Sequence, residues 1–480
     1  MMPSFFKKTF CLLALAALSL TARAQVPATV TLDPQHPGAE IPADFLGLSF
    51  EMQRVLPDTN GGHYFSPQNR RLIATFKTLG IQSLRVGGNT ADRPTLPVPG
   101  QADVDSLFAF ARAAGVKVIY TLRLNQGSPA AAAAMANYIS RHYAGQLDCL
   151  AIGNEPNVFS TNFEVYFAEW KRYAAAITAP SNSPAAKFCG PGVSPGHEKW
   201  SAQFAQSLAG SGLLKYVSQH DYAGGDARKA TNAAAARDKL LSPAMPAHYT
   251  QFASHFMPAV RASGLACRFE EANSFYDGGA ADVSDTFAAA LWALNYQWWW
   301  AENGLCGINF HTGDKVAARD ENKPCRYATF WTTADGNHIH PIGYAEKLFS
   351  LGSRGKIIPA SLADPATNLD FAVHAVLGGD GRVYATLINF SHGTTGIHYA
   401  VQIAPPPAGH WRAGEIIRLA TPDGDLARQT GVTLGGAEIT DDAKWAGRWE
   451  RIPVRSKNSS TPAPVDLPAA SAALVKLTLE

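Results

Sequence analysis

The sequence predicts an α/β fold, a (β/α)8 TIM barrel with a C-terminal antiparallel β-sandwich domain. Eight short, β-branched apolar runs recur between residues 45 and 311, with amphipathic helical stretches between them. From about Gly355 the helical periodicity stops and alternating strand candidates replace it. At 480 residues the chain suits one large domain plus a small one.

Residues 1–24 read as a signal peptide. Lys7 and Lys8 form a positive n-region, Phe10 to Leu20 is apolar, and Ala22-Arg23-Ala24 is an A-x-A cleavage site. The apolar run is short for a bilayer, so the expectation is a secreted or periplasmic protein with no stable membrane association after cleavage. Within residues 25–40, Ala28 to Leu32 alternates as a strand ended by Pro34 and Pro37. It has no partner in a barrel and is expected to join the β-sandwich.

The catalytic barrel is expected over 41–352. Its strand candidates are Phe45 to Glu51, Ser83 to Gly88, Val116 to Leu124, Leu150 to Glu155, Lys187 to Val193, Val217 to Tyr222, Arg268 to Asn273 and Gly307 to His311. Helical faces appear between them, such as Leu72, Ile73, Phe76 and Leu79, or Phe287, Leu291 and Leu294. A doubly wound open sheet would also alternate, but it usually carries a Gly-rich phosphate loop after its first strand, and Gly47-Leu48-Ser49-Phe50-Glu51-Met52 is not one. Over 353–480 the strand pair Phe371 to Leu377 and Val383 to Phe390 flanks a Gly-rich turn. Ile416 to Leu419 and Ala473 to Thr478 continue the sandwich.

Lysines plus arginines (41) nearly balance acids (39), and no basic stripe suggests a nucleic-acid partner. Of six cysteines, Cys11 leaves with the leader, and an odd number remains. Cys149, Cys189 and Cys267 sit in apolar runs, whereas Cys306 and Cys325 are the best disulfide candidates. The absence of a C-x-x-C pair argues against structural zinc. No metal or cofactor is expected.

Catalytic groups of a barrel enzyme sit at the carboxyl ends of its strands. Glu155 ends the fourth strand candidate, where Pro156 stops the ladder, and Glu271 lies near the end of the seventh. Two carboxylates from different sides of a barrel mouth are what glycoside hydrolysis requires. An acid at a strand end can also be a helix cap or an ion-pair partner, so the pair carries more weight than either alone. Glu270 is the rival nucleophile. Adjacent strand residues point to opposite faces, so only one of the pair can aim inward; if that one is Glu271, Glu270 faces the helices or pairs with Arg268 or a nearby cation.

Asn154-Glu155-Pro156 with a second Glu on strand seven resembles clan A of the glycoside hydrolases, retaining (β/α)8 enzymes. Within it the chain resembles glycoside hydrolase family 79, which contains β-glucuronidases and heparanases. The resemblance covers most of the chain beyond the leader. It rests on Phe45 to Glu51, Leu84-Arg85-Val86-Gly87-Gly88-Asn89, Gly153-Asn154-Glu155-Pro156-Asn157, and Glu271-Ala272-Asn273-Ser274-Phe275-Tyr276-Asp277-Gly278-Gly279. It implies Glu155 as acid/base and Glu271 as nucleophile. It also implies Asn154 at the sugar 2-hydroxyl, and Tyr276 with the N–H groups of Asp277 and Gly278 at a substrate carboxylate. Glu51 and Asn89 would meet sugar hydroxyls. His220 and Tyr222 would form a His/Tyr pair, one of them bonding the nucleophile, and Arg85 would hold the nucleophile's charge from below. The family's second carboxylate-binding tyrosine is displaced here: Gly343 occupies its place and Tyr344 reaches it only with a one-residue insertion.

The expected reaction is therefore double displacement on a β-linked glucuronide or a glucuronic-acid-containing polysaccharide. Other clan A activities (β-glucosidase, β-xylosidase, arabinofuranosidase), a non-catalytic carbohydrate-binding protein and a metal-dependent hydrolase are the alternatives. The long segment Thr312 to Ile342, with His338 and His340, reads as a wall of the leaving-group subsites more readily than as a metal site.

Overall fold

The computed structural model describes residues 25–316, 320–363, 370–406, 409–453 and 463–479, with side chains omitted over 316–322. The leader expected over 1–24 lies outside the described residues.

Eight parallel strands close into a barrel: Leu46–Glu51, Ser83–Gly87, Lys117–Leu122, Leu147–Ile152, Phe188–Val193, Leu214–Asp226, Ala266–Tyr276 and Leu305–His311. They are barrel strands one to eight. The first pairs the last from Leu46↔Ile308 to Ser49↔His311, which removes every sheet edge. Covered on one side by helices and on the other by barrel interior, the strands are buried on both faces and read as apolar runs. The helices between them start where the sequence offers a cap. Asn69, Ser128 and Asn162 each accept a backbone N–H of the first turn through the side chain. No helix among the described residues is long and apolar enough to cross a membrane.

Beyond the last barrel helix, Pro341–Gly352, the chain forms two facing sheets. One runs Ala360–Leu362, Val26–Leu32, Tyr399–Ile403, Val465–Leu467, and the other is built around Phe371–Gly378, Arg382–Asn389, Ser471–Leu479 and Trp411–Ala420. Val30, Val401 and Ile403 of the first share an apolar core with Ala385, Leu387 and Val475 of the second. The strand Val26–Leu32 lies antiparallel to Ala360–Leu362 but parallel to Tyr399–Ile403, so this domain is not purely antiparallel. The barrel grips it through the helix Phe287–Glu302. There Trp298 stacks on His374 at 5.6 Å, and His374 also bonds Glu302 and Asn295.

The candidate pair Cys306 and Cys325 is not bridged, and all five described cysteines are free. Cys306 opens strand eight at the amino ends of the strands, packed against Cys149 and Cys189, whereas Cys325 packs with Tyr222 and Tyr327 at the carboxyl ends. The barrel's height separates them.

Phe269 faces the helices from strand seven, wholly buried, with its ring 4.5 Å from that of Trp300. Phe269→Ala is expected to cost about 3–5 kcal/mol of stability, read as a lower midpoint in chemical denaturation.

Candidate active site

The carboxyl ends of the strands surround a cleft of about 310 Å³, lined in part by Glu51, Asn89, Glu155, Tyr222, Glu271 and His311. Strand four ends at Ile152, after which Glu155 takes a left-handed conformation (φ 45°) and donates its N–H to the Gly192 carbonyl at 2.9 Å. Such a backbone costs about 1–3 kcal/mol in a residue with a Cβ and persists only where the surroundings enforce it. The enforcing group is the buried Asp92 carboxylate. It accepts the N–H groups of Leu124, Asn125 and Asn154 at 2.6, 2.8 and 2.6 Å, tying the end of strand three to that of strand four.

Glu271 reaches the cleft from strand seven, and its partners come from other strands. Arg85 Nη1 donates to its Oε2 at 2.7 Å and Tyr222 Oη to its Oε1 at 2.8 Å, while His311 Nδ1 stands 3.6 Å from Oε2. Burial alone would raise this carboxyl, but the positive charges at His311, His220 and Arg85, with the Tyr222 hydrogen bond, outweigh it and hold the group well below the usual carboxylate range. Arg85 is fully buried and also donates to Ser49 Oγ (3.1 Å) and Asn154 Oδ1 (2.6 Å). The last bond fixes the Asn154 amide so that its NH2 group points away from Arg85. His220 Nδ1 lies 3.0 Å from Glu155 Oε1, so the two members of the strand-six pair serve different acids, Tyr222 the one on strand seven and His220 the one on strand four.

Donor atoms of Glu155, His220 and Glu271 all lie within 4.8 Å of one another. That places a carboxylate oxygen from each side of the cleft near the separation of about 5–5.5 Å that goes with retention. Among the described residues this is the only trio of acidic, His or Cys side chains close enough to share a cation. Its charge is already met, since Arg85 pairs with Glu271 and His220 with Glu155.

Glu270 faces neither the helices nor Arg268 but points into the barrel, where Ser218 Oγ donates to it at 2.8 Å; of the expected partners it has the nearby basic group, His220, whose Nε2 stands 3.7 Å away. The register explains this. Gln219 pairs with Phe269 and His220 with Glu271, so Glu270 is the extra residue of a β-bulge and both acids turn inward.

Glu51 is set by Thr90, whose N–H and hydroxyl donate to its Oε2 at 2.8 and 2.5 Å. Tyr276, Asp277 and Gly278 line the cleft beside Glu271, with Asp277 in a left-handed turn (φ 66°) and its carboxylate held by Lys323 at 3.1 Å. Tyr344 does not reach the cleft. Its hydroxyl accepts the Ile439 N–H at 2.9 Å, anchoring the last barrel helix to the C-terminal domain. Gly343 cannot be replaced by a tyrosine there either, because a Cβ would stand 2.6 Å from Ile339. The segment after strand eight forms two short hairpins, Lys315–Val316 with Asp320–Pro324 and Phe330–Thr332 with Asn337–Ile339. It lends Thr312, Lys315, Cys325 and Tyr327 to the cleft lining and bonds the end of strand seven at Asp277 and Asn273.

Sequence reasoning passed over several lining residues: His311, Ser194, Arg228, Lys315 and Tyr327. His311 ends strand eight and was accessible to the strand-end rule that found Glu155. Arg228, Lys315 and Tyr327 stand on loops, where no periodicity marks them.

The fold is that of barrel-plus-sandwich glycoside hydrolases. Solved structures similar to it include a 4-O-α-L-rhamnosyl-β-D-glucuronidase from Fusarium oxysporum 12S (TM-score 0.70, 19% identity, covering 93% of this chain and 100% of that one). A family 51 arabinofuranosidase from Xanthomonas axonopodis pv. citri (TM-score 0.68, 17% identity, 95% and 100% coverage) is also similar. So is the family 51 α-L-arabinofuranosidase AbfB from Bifidobacterium longum (TM-score 0.68, 15% identity, 94% and 100%). At these identities the likeness is one of fold. No family model matches the sequence, and no curated relative does.

Removing the Tyr222 hydroxyl takes a hydrogen bond from a buried carboxylate, worth about 1.5–3 kcal/mol. Tyr222→Phe should therefore lower kcat by about 10- to 100-fold in steady-state assays with folding intact. Tyr344→Phe should leave kcat and KM unchanged and lower the unfolding midpoint, because the Ile439 N–H loses its acceptor, at about 1–3 kcal/mol.

Proposed function

We propose that this chain is a retaining β-glycosidase that hydrolyses β-linked glucuronides, with Glu155 as acid/base and Glu271 as nucleophile. The observation that carries the reading is the pair of acids from strands four and seven whose oxygens approach within 4.8 Å, one of them held well below the usual carboxylate range by His311, His220, Arg85 and the Tyr222 hydrogen bond. Glu155 gives a proton to the glycosidic oxygen while Glu271 attacks the anomeric carbon. Water, deprotonated by Glu155, then releases the sugar with its β configuration restored. Asn154, with its amide oriented by Arg85, meets the 2-hydroxyl as charge develops on the ring.

The uronate part of the reading is supported by the wall beside Glu271. Tyr276, Asp277 and Gly278 stand there with Arg228 and Lys315, a setting that suits a sugar carboxylate. The resemblance to β-glucuronidases points the same way, as does the name of the Fusarium enzyme. Export through a cleaved leader would deliver the enzyme to glucuronides or glucuronic-acid-containing polysaccharides outside the cytoplasm.

Aryl β-glucuronide should be cleaved at least about 100-fold faster, in kcat/KM, than aryl β-glucoside, because a site built to bond the carboxylate is left unpaired by the glucoside. Equal rates, or cleavage of an arabinofuranoside alone, would remove the uronate claim and leave another retaining activity. NMR of the first-formed product should show the β anomer, and inversion would overturn the mechanism. Glu271→Gln should abolish turnover, and azide should rescue Glu155→Ala with a β-glycosyl azide as product. Chelator should leave the wild-type rate unchanged; its loss would favour a metal-dependent hydrolase.

A further inference from the structure

A two-carboxylate mechanism has no use for a third acid, yet Glu270 is buried beneath the cleft at 1% exposure. An uncompensated buried charge is expensive, so its surroundings should explain it. The bulge on strand seven turns it inward. Gly192 leaves the room, because a Cβ there would stand 2.2 Å from Glu270 Oε1. Ser218 Oγ donates at 2.8 Å and the Cys189 thiol approaches at 3.6 Å. The remaining neighbour is His220, wholly buried, with Nε2 3.7 Å from Glu270 Oε1 and Nδ1 3.0 Å from Glu155 Oε1. That longer approach is an ion-pair distance rather than a hydrogen bond, and Nε2 has no hydrogen-bond partner among the described residues.

We propose that Glu270 is a positioning residue for the acid/base: its carboxylate keeps His220 protonated on both ring nitrogens, and the imidazolium in turn confines the reactive proton of Glu155 to the oxygen His220 does not touch. The proposal rests on the glycosidase reading for its consequence, though not for the state of His220.

A neutral imidazole carries one N–H, and His220 stands between carboxyl oxygens on both sides. Without the charge of Glu270, the ring can stay neutral and take the Glu155 proton as an O–H···N bond through Oε1, which withholds it from the substrate. With the ring cationic, Nδ1–H donates to Oε1, so Oε2 carries the proton that leaves with the aglycone and later receives one from water. No atom is gained or lost in this arrangement.

The charged groups around His220 are Glu155 on strand four and Glu270 and Glu271 on strand seven. Arg85 on strand two and His311 on strand eight act on those acids, and Cys189 on strand five touches Glu270. Burial alone would lower the imidazole, but the carboxylates of Glu271, Glu155 and Glu270 overcome it and push it up to about 9 from 6.5. Burial alone would raise Glu270, but His220, Arg85 and Ser218 outweigh it and hold its carboxyl below the usual value. Because the folded protein binds the His220 proton more tightly than the unfolded chain, the stability this gives is fully present below 6.5 and is lost as pH rises through about 9.

The test compares wild type, Glu270→Gln, which keeps the shape, and Glu270→Asp, which keeps the charge. In protein labelled with 15N-histidine, the resonances absent from His220→Asn identify His220. They should titrate near 9 in wild type. Their midpoint should fall by about one unit or more in Glu270→Gln and by less in Glu270→Asp. The basic limb of kcat/KM on the best aryl glycoside should move with them, with kcat falling and KM nearly unchanged. A His220 midpoint that is the same in wild type and Glu270→Gln overturns the proposal, as does a pH profile for Glu270→Gln that parallels wild type at every pH. If wild type cleaves no aryl glycoside, the functional reading fails, and the histidine titration still decides the link between Glu270 and His220.

Discussion

The Arg85 guanidinium organises the barrel mouth. A fully buried cation demands compensation, and Arg85 obtains it from three strands at once: Ser49 on strand one, Asn154 on strand four and Glu271 on strand seven. Any outward rotation of Glu271 or of the Asn154–Glu155 turn would leave part of that cation unpaired, at several kcal/mol. One residue therefore links Glu271 and the Asn154 that precedes Glu155 to the closed barrel, while Asp92 holds the backbone of that turn.

Around that cation the polar groups divide into two circuits. One contains Glu271, Arg85, Tyr222 and His311, and it keeps the strand-seven acid ionised. The other contains Glu155, His220, Glu270 and Ser218, and it runs down the strand-six wall to the interior. They meet at His220, which senses the charge of Glu271 as well as bonding Glu155. Two carboxyls with matching side chains are thus given different surroundings, Glu271 beside Arg85 and Tyr222 and Glu155 beside His220.

The barrel strands were legible because burial on both faces leaves apolar runs, and the strand-end rule with the family resemblance pointed to Glu155 and Glu271, which the fold brings to one cleft. What failed had a physical cause in each case. The two-residue period of a strand allowed only one of Glu270 and Glu271 to face inward, and a bulge broke that period. Tyr344 sits at the position where a one-residue shift decides between cleft and domain interface, and only the packing of Ile339 against Gly343 resolves it. Cys306 and Cys325 are near in sequence but at opposite ends of strand eight and its following loop. Arg228, Lys315 and Tyr327 are brought to the cleft by loop conformations that leave no periodic trace.

The position of Val26–Leu32 inside a sheet otherwise drawn from the far end of the chain has a consequence for biogenesis. A polypeptide that emerges amino-end first must keep this segment unmatched until Tyr399–Ile403 and Ala360–Leu362 have been made. The barrel between them can assemble during that wait, so the smaller domain is completed last and acts as a clasp joining both ends of the molecule. Nothing before Ala360–Leu362 gives the first strand a place to settle.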